Sequence, residues 1–355
     1  MISYNYHRED HTSYWKKFKD IIKDYNEITV DTVAPKASRL RKIRELIHII
    51  RLYREMQKGL EGIDGKPVRR VLACHLAEMK ALEDRLRMLD VQSRAAFIFF
   101  DGNHIENLIV QYLRNRGVKV ATMQHGQPVF HGMNVDRINQ TMILNFSSDY
   151  IMVTGEFSKK QFMLGGVPEA RIFVGGSLRH LKEIKTVDNH DFALFLDCPT
   201  NPNAIQSNAE LIENAMTVSS LLGSSFVIKC HPQDDPKNYR DMTIHNGTFA
   251  PRGVGVGDVL KDVAFGLLHA SGVYLDILSE GVKAFCYMNE TDFPLVEDGM
   301  DSFRSVQELE EKIRAWNMYD MNKKRDYMRG IIDYYLSPDD VDKRYRDFAE
   351  KLNRA

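Results

Sequence analysis

The sequence predicts an α/β protein of two Rossmann-like domains, each built on a parallel sheet and facing the other across a cleft, with helical extensions at both ends. Three observations predict it. From Ala95 onward, short continuous apolar runs alternate with amphipathic segments of helix length, as right-handed βαβ units require. A polar stretch, Leu181 to Asp191, interrupts this alternation, and a second series begins after it. The first ninety and last fifty residues carry helical rather than strand periodicity. A chain of 355 residues, at roughly 150 per domain, agrees with two domains.

In chain order, Trp15, Phe18, Ile21 and Ile22 recur at helical spacing. A second run, Lys36 to Lys58, places Leu40, Ile43, Ile47 and Ile50 on one face. Eight basic residues flank that stripe (Lys36, Arg39, Arg41, Lys42, Arg44, Arg51, Arg54 and Lys58) against Glu45 and Glu55. Gly62 to Pro67 breaks the pattern, and a third helix fits Ala73 to Leu89. AAFIFF, Ala95 to Phe100, reads as a strand buried on both faces. Ile105, Leu108, Ile109 and Leu113 then share one side of a helix that stops at Gly117. Further strands fit Val118 to Gln124, Asp149 to Gly155 and Ala170 to Gly176. In the second series, strands fit Phe192 to Asp197, Ser225 to Cys230, Val263 to Ala270 and Lys283 to Met288. Helices fit Ala204 to Leu222 and Gly272 to Glu280, and everything from Ser305 reads as helical and charged. The expected boundaries are a helical region 1–90, a first α/β domain 91–185, a second 186–304 and terminal helices 305–355.

Composition removes several function classes. Lys and Arg number 48 against 49 Asp and Glu, so the net charge of −1 argues against a polycation built for nucleic acid. The four cysteines, Cys74, Cys198, Cys230 and Cys286, are too few and too scattered for a disulfide framework or a CxxC metal site, which fits a reducing compartment. The first twenty residues are polar and show no secretory signal, and no apolar run reaches the ~20 residues that span a bilayer. A cytoplasmic protein is expected. Twelve histidines include no HExxH, and neither a Walker A loop nor a GxSxG elbow is present, so neither a metal nor another cofactor is expected.

Ligands of open parallel sheets bind beyond the carboxyl ends of strands, so the polar residues at strand exits are the candidates. Gln124-His125-Gly126 follows one strand; His125 is either a proton-transfer group or a loop histidine capping the strand end. Asp101, after AAFIFF, is either a reacting carboxylate or, with Asn103, a helix cap. His231, in Cys230-His231-Pro232, could donate to a phosphate oxygen or merely occupy a turn. Ser271 and Gly272 open a helix whose first N–H groups could hold an anion, although every such helix wants a cap. Asp276, five residues on, could accept from a ribose hydroxyl. GVGVG, Gly253 to Gly257, does not link a strand to a long helix and carries little weight as a phosphate loop.

Taken in order, QHGQP, VTGEFSKKQFMLGGVPEARIFVGGSLR, IKCHP and LLHASGVYLDILSEGVKAFCY resemble the nucleotide-dependent transferases of bacterial surface polysaccharides with the two-domain GT-B fold. The resemblance runs from about Phe97 to Tyr287 and points to the CDP-glycerol glycerophosphotransferases and to capsule transferases for Kdo and sialic acid. It implies His125 as base for an acceptor hydroxyl, His231 at the donor phosphate, and Ser271 at the helix that holds the phosphate. It further implies Asp276 where the family often has a ribose-binding glutamate. In Gly176-Ser177-Leu178-Arg179 a leucine replaces the usual proline, which bears on the crossover between domains.

Three readings follow. The leading one is a transferase moving a sugar or polyol phosphate from a nucleotide-activated donor to a glycan or lipid-linked glycan. Its basic stripe, residues 36–58, would then hold it peripherally on the anionic inner face of the membrane. The second is a sugar-nucleotide 2-epimerase, which uses the same two-domain plan. The third is a non-catalytic glycan-binding protein that keeps the fold.

Overall fold

The computed structural model describes residues 2–4, 9–22, 28–30, 40, 43–44, 47, 74, 77, 79–87, 93–102, 104–124, 126–130, 143, 146–185, 190–199, 202–269, 271–288, 296, 299 and 301–354. Two parallel sheets organise them. In the first, β3 (Ala95–Phe99), β4 (Lys119–Met123), β5 (Tyr150–Val153) and β6 (Ile172–Val174) lie side by side in chain order. β3 is buried along its whole length, as a continuous apolar run covered on both faces must be. Helix α2 (His104–Arg114) returns the chain from β3 to β4, and its Ile109, Val110 and Leu113 pack with Ala96, Ile98 and Val120. Helix α3 (Glu156–Leu164) carries the chain from β5 towards β6.

The N-terminal segment departs from the helical reading of residues 1–90. Strand β1 (Ile2–Tyr4), helix α1 (Glu9–Ile21) and strand β2 (Ile28–Val30) form a βαβ unit whose strands pair in parallel, with β1 beside β3. Three-residue strands are too short to show alternation, so the helical signal of Trp15 and Phe18 masked them. Those two side chains pack against Phe97 and Phe99, which makes α1 part of the first domain's core.

The second sheet has the order β12 (Ser302–Phe303), β11 (Lys283–Tyr287), β10 (Phe265–Leu268), β7 (Phe192–Phe195), β8 (Phe226–Lys229), β9 (Gly247–Phe249), all parallel. Counted within the domain, that is 6-5-4-1-2-3, the doubly wound order whose direction reverses between β7 and β10. At the opposite, amino end of this sheet, the register aligns Phe192 with Phe226 and Phe265, and the rings stack at 5.2 and 5.0 Å. Helix α4 (Pro202–Leu222) buries Leu211, Ile212, Ala215 and Val218 against the sheet. The short helices α5 (Val256–Val259) and α6 (Val273–Ser279) complete the layer.

The tail closes both domains. Helix α7 (Val306–Asn317), capped by Ser305, packs on the second sheet, and α8 (Met321–Leu336), capped by Asp320, runs on from it. Phe157 of α3 lies 4.8 Å from the ring of Tyr335 on α8, and Thr154 Oγ1 donates to Tyr335 O. Helix α9 (Val341–Arg354) then returns to the first domain, where Phe348 stacks on Phe173 at 4.2 Å and Tyr345 donates to Gly176 O at 2.9 Å. Gly176 has φ of +90°, and a Cβ there would strike Ser337 O, so the turn between domains needs glycine. Leu178, at the position of the expected proline, is buried with Trp15, Phe18 and Tyr345. No helix among the described residues is long and apolar enough to cross a membrane.

Candidate functional site

At the first sheet's carboxyl edge, Asp101 follows β3. Its Oδ2 accepts from Ser147 N at 3.0 Å, Ser148 N at 2.7 Å and Ser148 Oγ at 2.7 Å. The carboxylate therefore holds the turn before β5 rather than capping α2. Burial pushes its pKa up, and the hydrogen bonds from Ser148 and Ser147 work in the other direction. Asn103 lies outside the described residues.

His125 also lies outside the described residues, but its neighbours are fixed. Gln124, buried, accepts from Thr154 N at 3.0 Å and donates to Gly126 O at 2.6 Å, while Gly126 takes φ of +66°. Gln161 accepts from Phe130 N at 2.9 Å and holds the far side of the same loop. The sequence reading passed over Gln124; its place in QHG beside the histidine is the signal that could have found it.

At the second sheet, the exits of β7, β8 and β10 are joined by one hydrogen-bonded chain. His269 Nδ1 stands 3.3 Å from Asp197 Oδ2. Asn208 of α4 accepts from Asp197 N at 2.9 Å, donates to Asp197 O at 3.1 Å and reaches the Tyr239 hydroxyl at 2.9 Å. Tyr239 donates to Asp234 Oδ2 at 2.7 Å, and Asp234 N donates to His231 O at 2.8 Å. Burial first, then the bond to Asp234, drives the Tyr239 pKa far up, so the phenol stays a donor. Asp197 and His269 each end a continuous apolar run, but only the sheet order makes them neighbours.

Of the expected phosphate-site residues, His231 accepts at Nδ1 from Gln233 N at 3.2 Å. In the neutral ring that puts the proton on Nε2, the form that can donate to a phosphate oxygen. Gly272, not Ser271, occupies the cap position of α6; Ser271 precedes it, and its Oγ accepts from Val273 N at 3.4 Å. Gly272 is exposed, and a Cβ there would meet nothing within 4 Å. Asp276 accepts from Arg179 Nε at 2.8 Å, so the carboxylate expected to read a ribose is engaged by the crossover from the first domain.

Neither rim cysteine is an activated nucleophile. Burial, with Asp234 nearby, pushes the Cys230 thiol up to about 12, and burial also raises Cys198. Among the described residues, no three or more His, Cys, Asp or Glu side chains are arranged to hold a metal ion. In GVGVG, Gly255 caps α5 and Gly257 lies against the Glu280 carboxylate, so these glycines serve packing of α5 on α6.

Comparisons with known proteins bear on this geometry. No family model matches the sequence, and no curated protein matches it. Solved structures do match. The UDP-GlcNAc 2-epimerase of Neisseria meningitidis, bound to UDP-GlcNAc, is 11% identical, with a TM-score of 0.58 over 100% of this chain and 99% of that one. The UDP-GlcNAc 2-epimerase of Methanocaldococcus jannaschii, in complex with UDP-GlcNAc and UDP, is 13% identical, with a TM-score of 0.56 over 96% of each chain. The pneumococcal O-GlcNAc transferase GtfA is 9% identical and matches over 78% of this chain but 60% of its own length, with a TM-score of 0.50. The chain has the GT-B fold.

These matches correct the leading sequence reading. The 2-epimerases above match over nearly the whole of both chains, whereas the transferase is covered only in part, which overturns transfer to a glycan as the leading reading. These matches give no support to the membrane role expected of residues 36–58. Most of that segment lies outside the described residues; Leu40, Ile43 and Ile47 are helical and 81%, 50% and 52% exposed.

Proposed function

We propose that the chain is a nucleotide-sugar enzyme of the 2-epimerase type, inverting the configuration at C2 of a sugar that remains nucleotide-linked in substrate and product. The observation that carries this reading is the likeness to UDP-GlcNAc 2-epimerases over the whole length of both chains, terminal extensions included. A nucleoside diphosphate is the expected ligand of the second domain, whose topological switch point carries Asp197, His269 and the Ser271–Gly272 turn. His231, with its proton on Nε2, is suited to a phosphate oxygen.

C2 of the sugar has no neighbouring carbonyl to take up an electron pair, so its proton leaves as the C1–O bond breaks, a C1=C2 double bond forms and the nucleoside diphosphate departs. Return of the diphosphate to C1 and of a proton to the opposite face of C2 restores the linkage with C2 inverted. In this reading His125, between the fixed Gln124 and Gly126, exchanges a proton with the sugar. Asp101 keeps the adjoining 147–148 turn in place. No metal is assigned to the reaction.

Incubation of the purified protein with UDP-GlcNAc alone, without any acceptor, tests the proposal by chromatography of the nucleotide sugars. The expected result is a mixture of UDP-GlcNAc and its C2 epimer, reached from either side. Unchanged substrate across a panel of nucleotide sugars would overturn it.

A further inference from the structure

The apolar stripe of a helix ordinarily packs against a core. That of Leu40, Ile43 and Ile47 does not. The three are helical, stand three and four residues apart and so share one face, yet they are 81%, 50% and 52% exposed. Arg44, one turn beyond Leu40, is helical and exposed beside them. The surrounding sequence is also the most basic in the chain's N-terminal region. Residues 36–58 hold eight basic side chains against two acidic ones, a net +6, in a chain of net charge −1, so the rest of the molecule carries −7. In the sequence, Lys36 precedes Leu40 by four residues, and Arg51 and Arg54 follow Ile47 by four and seven, the spacings of one helical face. Positive charge thus brackets, along the sequence, an apolar stripe that faces water.

Exposure and charge together select the partner. Two copies of the segment would bring +6 against +6, and like charges brought together disfavour self-association through this face. Nucleic acid would neutralise the charge, but its phosphate backbone offers no apolar seat to Leu40, Ile43 and Ile47. Three side chains also fall far short of the ~1,000 Å² that a specific protein–protein interface buries. A bilayer with anionic headgroups meets both demands: apolar side chains enter the boundary between headgroups and acyl chains, and basic ones stay at the phosphates.

We infer that residues 36–58 attach the protein peripherally to an anionic lipid surface, with Leu40, Ile43 and Ile47 inserted and Arg44 held at the headgroups. The attachment is independent of the reaction proposed above.

Co-sedimentation of the full chain with liposomes tests this, using vesicles of phosphatidylcholine alone and of phosphatidylcholine mixed with phosphatidylglycerol. The expected result is pelleting with the anionic vesicles only. Raising the salt from about 0.1 M to about 1 M shortens the screening length from about 10 Å to about 3 Å and should weaken binding by more than about tenfold. Arg44→Gln should weaken it about fivefold, the worth of one basic residue near a charged membrane. Leu40→Gln combined with Ile47→Gln should weaken it by more than about tenfold. All three positions are exposed, so both variants should keep the wild-type unfolding midpoint. Equal pelleting with both kinds of vesicle, or with neither, overturns the inference. Undiminished pelleting of the Leu40→Gln, Ile47→Gln variant also overturns it, because the contact would then lie elsewhere. Gel filtration without lipid addresses the remaining occupant. A wild type that self-associates, beside a Leu40→Gln, Ile47→Gln variant that does not, would assign this face to a second copy and overturn the lipid assignment.

Discussion

Arg179 Nε donates to Asp276 Oδ1 at 2.8 Å, and this bond ties the crossover leaving the first domain to helix α6 of the second. The next residues continue the contact. Lys182 N donates to Ser279 O, Lys182 Nζ lies 2.6 Å from Glu280 Oε2, and Lys185 N donates to Gly281 O. Gly281 has φ of +74°, and a Cβ there would collide with Glu183 O, so this docking requires glycine. The polar stretch from Leu181, which separates the two α/β series in the sequence, thus begins as a strap lying on the second domain.

The Arg179–Asp276 pair fixes geometry more than it stabilises. Its side chains are 27% and 42% exposed, and ion pairs in such settings contribute about 0–1 kcal/mol. Arg179→Ala is expected to change unfolding free energy by no more than about 1 kcal/mol in a urea titration. A larger loss would make the pair a principal support of the domain junction.

Asp101 is expected to matter for folding before it matters for anything else. Asp101→Ala removes the acceptor of two backbone N–H groups and one hydroxyl, and stranding buried donors costs about 1–3 kcal/mol each. Chemical denaturation should show a loss of at least about 2 kcal/mol. The pH dependence has a defined sign. The folded-state pKa is raised by burial, so the native state binds this proton more tightly than the unfolded chain. The stability contributed by the protonated carboxyl is then full below the unfolded pKa and is lost as pH rises through the folded one. The stability difference between wild type and Asp101→Asn should therefore shift against the wild type as pH rises from the ordinary aspartate range through that window. A pH-independent difference would contradict the assignment.

A second buried charge lies at the opposite end of the second sheet. Lys283, at the start of β11, pairs with Asp301, which also accepts from Tyr274 at 2.8 Å and Tyr327 at 3.0 Å. Burial, with Lys312 nearby, holds the Lys283 pKa well below the usual lysine range. Asp301→Ala leaves a buried amine and two hydroxyls without their acceptor and should cost about 3–5 kcal/mol, whereas Lys283→Met combined with Asp301→Asn should recover most of it. Thermal or chemical unfolding of the wild type and the two variants decides this, and equal losses for the two variants would remove the pair from the account.

The proposed reaction uses side chains and backbone groups without a metal ion. Treatment with EDTA followed by buffer exchange is expected to leave epimerisation unchanged. A loss restored by a divalent cation would require a site not assigned here.

Much of this architecture was legible in the residues. Strands β3, β7, β10 and β11 were read because a strand covered on both faces is a continuous apolar run. β9 and β12, three and two residues long, carry no such run and were missed, as were β1 and β2. Tyr345, Phe348, Ala349 and Leu352 mark an amphipathic helix, but nothing in that spacing says that it crosses back to the first sheet. Ser271 and His231 stand out in the sequence because each lies within three residues of a strand end. The pairing of Asp197 with His269 was not, because 72 residues separate them and only the reversal between β7 and β10 joins them.

The most direct test of the central claim is proton NMR of UDP-GlcNAc incubated with the protein in D2O. Epimerisation through removal and return of the C2 proton predicts loss of the H2 signal, deuterium at C2, and the appearance of the C2 epimer while the sugar is still nucleotide-linked. Full retention of hydrogen at C2, with no epimer formed while a control epimerase turns over in the same buffer, would contradict it.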